Sequence, residues 1–233
     1  MGDGMNDGLE LAKKCVEQVF EPYKDVMHSL LSPAATQIGL SFGDQAAFWR
    51  SKRFLRFQET FSQYAVDHGL KVKPVSPRLL FPICENACLE DDDDLYTRWM
   101  ALLANAATDR NGEVLPCFPD ILRQLTSEEA QFLDSAYDEV TRDENERRHE
   151  LIVNNSEAGL AGLSAPLYIS VRLLESVPTV MIENLERLML VTRNAVRLSL
   201  DDKLINTFPS ANHLYVSELG KAFVRACREP ESV

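Results

Sequence analysis

The sequence predicts a mainly α-helical protein, with a helical N-terminal and central region followed by a small winged-helix-like α+β module at the C-terminus. Three observations predict it. Apolar residues recur at i, i+3 and i+4 through much of the first 140 residues, the period of helices with one buried face. Helix-start signals punctuate that pattern, at Ser32–Pro33, at Glu90–Asp94 and at Thr126–Ser127 followed by Glu128 and Glu129. Near the end the period changes, because Ala195 to Leu200 alternates apolar and polar residues as a strand does. We therefore read 1–74 as an N-terminal helical hairpin, 75–150 as a central helical region and 151–233 as the winged-helix-like module.

In chain order, Leu9 to Leu31 has the spacing of a helix, with Leu9, Ala12, Val16, Val19 and Phe20 on one side and Pro22 interrupting it. Ser32 and Pro33 suit the cap and first position of the next helix. There Ala35, Gly39, Gly43 and Ala47 recur every fourth residue, a strip of small side chains against which another backbone can approach closely. Such a strip fits a tight crossing within the fold, or a seam for a protein partner or for a second copy of the chain. Phe54, Phe57, Phe61 and Tyr64 continue at helical spacing as an aromatic seam suited to the core. Arg50, Lys52, Arg53 and Arg56 form the densest basic patch, readable as a solvated face paired with the protein's own acids or as an anion-binding surface.

The proline-bounded connector VKPVSP is extended, since residues preceding proline avoid the helical region. Leu79 to Leu89 is apolar enough for a buried helix. The acids from Glu90 to Asp94 resemble a metal site, but they lack a glycine-centred loop or spaced ligands. Their place before a helix carrying Leu95, Trp99, Leu102, Leu103 and Ala106 makes them a cap. Ile121 to Leu125 is a short helix, and the next carries Ala130, Leu133, Ala136, Tyr137 and Val140 on its apolar side.

The last third reads helix, strand, wing, strand, helix. Pro178 to Val191 would be the recognition helix of a DNA reader, but Glu183 and Glu186 stand there against Arg187. Acidic side chains repel phosphates, and base edges are read by Arg, Lys, Asn or Gln, which leaves Asn184 and Arg193. His213 to Val216 is the partner strand, and Ser217 caps a final helix with Leu219, Phe223 and Cys227 turned inward.

The 45% hydrophobic and 26% charged content of the 233 residues is that of an ordinary globular chain. The net charge of -12 argues against general nucleic-acid binding unless basic residues act locally. No run reaches the roughly 18 apolar residues of a membrane span. The N-terminus has no basic segment followed by an apolar core, so a cytoplasmic location is expected. Five cysteines, an odd number scattered among apolar residues, suit reduced core thiols. Cys84 and Cys88 share a helical face, but two ligands with no histidine nearby are too few for zinc. No phosphate loop, nucleophile elbow or zinc spacing occurs, so no catalytic, cofactor or metal residue is assigned.

Taken together, PAATQIGLSFGDQ, PRLLFPICENACLEDDDDLYTRWMALLANA, PCFPDILRQLTSEEAQFLDSAY, IENLERLML and LYVSELGKAFVRAC resemble the Abi-alpha family, bacterial proteins named for abortive phage infection. The segment from Trp99 to Ala104 and the later Pro-Asp-Ile-Leu-x-Gln-Leu-Thr are the most specific parts. The resemblance implies a mostly helical cytoplasmic protein of antiphage defence without assigned catalytic residues. It also implies a glycine where this chain has Met189. The reading that follows is a non-enzymatic defence component acting through protein contacts, as sensor or adaptor. The alternative is nucleic-acid binding through residues 50–56 or the winged helix.

Overall fold

The computed structural model describes residues 10, 14, 17–23, 40–108, 114–154, 168–175, 177–193 and 214–230, with backbone alone for 23, 40–51, 147–148 and 150–154. Within them the chain is mainly helical, and its strands are two short segments. Two compact units divide it: Met1–Leu125 together with Ala226–Val233, and Thr126–Arg225.

The first unit contains a 3-10 turn at Glu21–Tyr23, α1 (Leu40–Asp67), α2 (Pro77–Ala87), α3 (Asp93–Thr108) and α4 (Phe118–Leu122). Pro22 sits inside the turn, where a proline ring is compatible with the backbone but a continuing helix is not. The aromatic periodicity of α1 becomes packing: Phe57 and Phe61 are fully buried. Phe20 meets Phe54, Phe57 and Phe61 edge-on, with ring centroids 5.9, 6.5 and 5.8 Å apart. That edge-to-face geometry sets the positive ring edge against a negative ring face.

Gly69 ends α1 at a φ of +60°. The connector then runs extended to Ser76 and Pro77, the cap and first residue of α2, with Lys73 N–H donating to Ala107 O at 2.7 Å. α2 packs on α3 and α4, and α1 on α2 and α3. From Trp99 to Ala104 every residue of α3 is buried, so this helix is enclosed on all sides rather than along one stripe. The C-terminal segment belongs to the same unit, since Asn105 Nδ2 donates to Ala226 O and Arg228 O, each at 2.9 Å.

The second unit contains α5 (Ser127–Asn154), α6 (Val171–Leu174), α7 (Thr179–Arg187), β1 (Val191–Thr192), β2 (Tyr215–Val216) and α8 (Glu218–Ala226, its last residue in the first unit). The strands pair antiparallel, Val191 opposite Val216 and Thr192 opposite Tyr215. Ile169 N–H donates to Leu214 O at 2.7 Å beside them. The expected strand over 195–200 lies outside the described residues; the strand found pairing with β2 comes earlier, at Val191–Thr192. It can come earlier because α7 stops at Arg187 instead of running to Val191. Met189 takes a φ of +60° there, which no continuing α-helix allows. Leu219 is half-buried, while Phe223 and Cys227 are buried as expected.

Candidate functional site

Two places bring predicted site residues together. In the first, α1 presents Arg53 and Arg56 beside the turn that joins α2 to α3. The acids of that turn are used locally. Glu90 Oε1 accepts the N–H groups of Asp91 and Asp92 at 3.1 Å, and Glu90 Oε2 accepts Trp99 Nε1–H at 3.4 Å. Asp92 Oδ1 accepts Leu95 N–H at 2.9 Å, a side-chain cap on the first turn of α3. Asp94 lies 3.0 Å from Arg98 Nε one turn on. Among the described residues no three His, Cys, Asp or Glu side chains gather into a group that could hold a metal ion.

Arg53 reaches across to this turn, donating to Cys88 O at 3.0 Å and pairing with the Asp91 carboxylate. It thereby ties α1 to the end of α2. Arg56 and Lys52 are exposed, Arg50 lies on α1, and so do Gly43 and Ala47. Ala35 and Gly39 lie outside the described residues. The cleft formed here has a volume of about 130 Å³ and is lined by Arg53, Arg56, Glu90, Asp91, Asp93 and Tyr96, among others. Two guanidinium groups thus face three carboxylates, so the acids offset the attraction that the basic cluster would have for phosphate.

Cys88 lines this cleft, and its side chain is buried. Burial pushes the Cys88 thiol up to about 12 despite the nearby Arg53 charge. Burial, with Cys88 alongside, holds Cys84 well above the usual thiol range. A protonated, enclosed thiol is a poor nucleophile. Tyr96 is also raised, chiefly by burial, with Thr60 and the two arginines pulling the other way.

The second place is α7, which follows α6 in the second unit. Its foundation is the start of α5, where Thr126 Oγ1 accepts Glu129 N–H at 3.2 Å and Glu129 Oε2 accepts Thr126 N–H at 2.8 Å. This is the reciprocal capping box that Thr126 and Glu129 predict. The structure adds what their spacing did not reveal. Glu129 is only 4% exposed, and its Oε1 accepts Asn184 Nδ2–H at 2.8 Å. Asn184 Oδ1 in turn accepts from Arg187, at 3.2 Å from Nε and 2.7 Å from Nη2. Arg193 Nε donates to Glu186 Oε1 at 2.8 Å.

Asn184 and Arg187 on α7, and Arg193 after β1, therefore each have a hydrogen-bond partner within the unit, although the two arginines are exposed. On the outside, Thr179, Val180, Glu183 and Arg187 are exposed, and Val180 keeps 67% of its surface open to solvent. Tyr168 and Val171, ahead of and on α6, are exposed as well.

No helix among the described residues is long and apolar enough to cross a membrane. No curated protein and no solved structure matches the chain. A family model described as abortive infection alpha matches residues 50–227, a span that takes in the described part of α1 carrying Lys52 to Arg56, the capped turn before α3, the capping box of α5 and the last helix. With the greater part of its length matched in this way, the chain belongs to the abortive infection alpha family.

Proposed function

We propose that this protein is a cytoplasmic, non-enzymatic component of bacterial antiphage defence that works through protein contacts as a sensor or adaptor. Membership of the abortive infection alpha family is the observation that carries the defence role. The protein-contact part draws support from two features. In the cleft beside α1, Glu90 is used within the turn, Arg53 and Asp91 pair with each other and Cys88 is buried, and exposed apolar side chains accompany α6 and α7. The small-residue strip Ala35, Gly39, Gly43 and Ala47 is the seam we assign to a partner or a second copy.

The order α5, extended Tyr168–Ser170, α6, α7, β1, β2 supports reading the second unit as winged-helix-like. Nucleic-acid binding stays as the second reading because Lys52 and Arg56 are exposed on α1. The bonds that occupy Asn184, Arg187 and Arg193 weigh against base reading by α7.

Phage challenge of host cells with and without the gene and its neighbours, at low and high phage-to-cell ratio, tests the defence role. Protection at low ratio with culture collapse at high ratio is the expected result. The absence of protection across a broad phage panel would remove it. The seam has its own test: Gly39→Leu with Gly43→Leu should abolish self-association or partner capture in a folded protein, and unchanged assembly would discard it. For the second reading, binding to a duplex should weaken with salt and with Lys52→Ala and Arg56→Ala. No binding at low salt would end it.

A further inference from the structure

We draw no further inference here: the strongest candidate, the cleft between α1 and the α2–α3 turn lined by Arg53, Arg56, Glu90, Asp91, Asp93 and Tyr96, belongs to the site already described, and its acids are an acidic cluster engaged in capping the turn and pairing with Arg53, with no second observation that points to a ligand.

Discussion

α1 and α7 end in the same hydrogen-bonded turn, and they fill its left-handed position differently. After α1, Gly69 N–H donates to Val66 O at 3.0 Å and Leu70 N–H to Ala65 O at 2.8 Å. After α7, Met189 N–H donates to Glu186 O at 2.9 Å and Leu190 N–H to Leu185 O at 3.0 Å. Both pairs are the 5→2 and 6→1 bonds of a Schellman cap, and both Gly69 and Met189 stand at a φ of +60°. In each turn the two residues joined by the longer-range bond, Ala65 with Leu70 and Leu185 with Leu190, are buried. A glycine adopts this conformation freely, whereas an L side chain pays about 1–2 kcal/mol for it. The first turn therefore follows from its own residues, while the second is held against a local preference.

What holds the second turn is tertiary. Leu190 O accepts Ser217 N–H at 3.0 Å, and the Ser217 hydroxyl donates to Met189 O while accepting Gly220 N–H at 2.9 Å. The cap of α8 and the cap of α7 are thus one cluster. Gly220 lets them approach, because a Cβ there would lie 2.1 Å from Leu190 O and 3.2 Å from Val216 Cγ1. Nothing stands within 4 Å of a Cβ built at Gly69. One glycine is needed for its backbone angle, the other for the space it leaves.

Substitutions can break or sharpen this contrast. The largest effect is expected from Gly220→Ala, where a backbone carbonyl cannot step aside as a flexible side chain can. Overpacking of this kind should cost about 3 kcal/mol, read as a lower urea midpoint for the second unit. A midpoint equal to that of the parent chain would mean that Leu190 O does not support the α8 cap in this way.

Next comes Glu129→Ala. It strips the partner from Thr126 N–H and from the Asn184 amide of α7, and two hydrogen bonds at such part-buried donors are together worth about 1–2 kcal/mol. Equilibrium unfolding should show that loss, and Glu129→Gln should recover part of it by keeping an acceptor oxygen. Equal stability of the Ala and Gln variants would show that the hydrogen bonds contribute little.

Met189→Gly should move stability the other way. Relief of the left-handed strain exceeds the extra chain entropy of glycine, and Met189 is 62% exposed, so little burial is lost. A gain of about 1 kcal/mol is expected in thermal or urea unfolding. A loss would mean that the Met189 side chain contributes more than its exposure suggests.

Gly69→Ala is the mirror test and the smallest in scope, since only the backbone angle opposes the new methyl group. It should destabilise the first unit by about 1 kcal/mol with no change in the cleft beside α1. A loss well above that would show a steric role that the open space around Gly69 does not suggest.

Much of the helical outline was readable along the chain because its signals are local. The period of Phe57 and Phe61, the cap at Asp92, and the box at Thr126 and Glu129 all act within a few residues. The pairings that organise the candidate sites were not readable. Arg53 with Asp91 spans 38 residues and Asn184 with Glu129 spans 55, and no spacing rule links such positions. The basic cluster could be read as paired with the protein's own acids, but not with which ones, because Asp91 comes from the turn between two other helices. The end of α7 is not legible locally for a related reason: the apolar run through Leu188, Met189 and Leu190 suits a continuing helix, and the bonds to Ser217 and the space at Gly220 favour a turn.

By itself the sequence determined a mainly helical chain, the positions of several caps, the aromatic core of α1 and the family to which the protein belongs. Those are matters of periodicity, capping chemistry and motif, all carried by near neighbours. Tertiary structure alone decided that α7 stops at Arg187 with Met189 in a glycine's conformation, that Arg53 is tied to the α2–α3 turn, and that Asn184 rests on a buried carboxylate. Each depends on groups far apart in sequence, whose contact free energy outweighs a local preference only once the chain has folded.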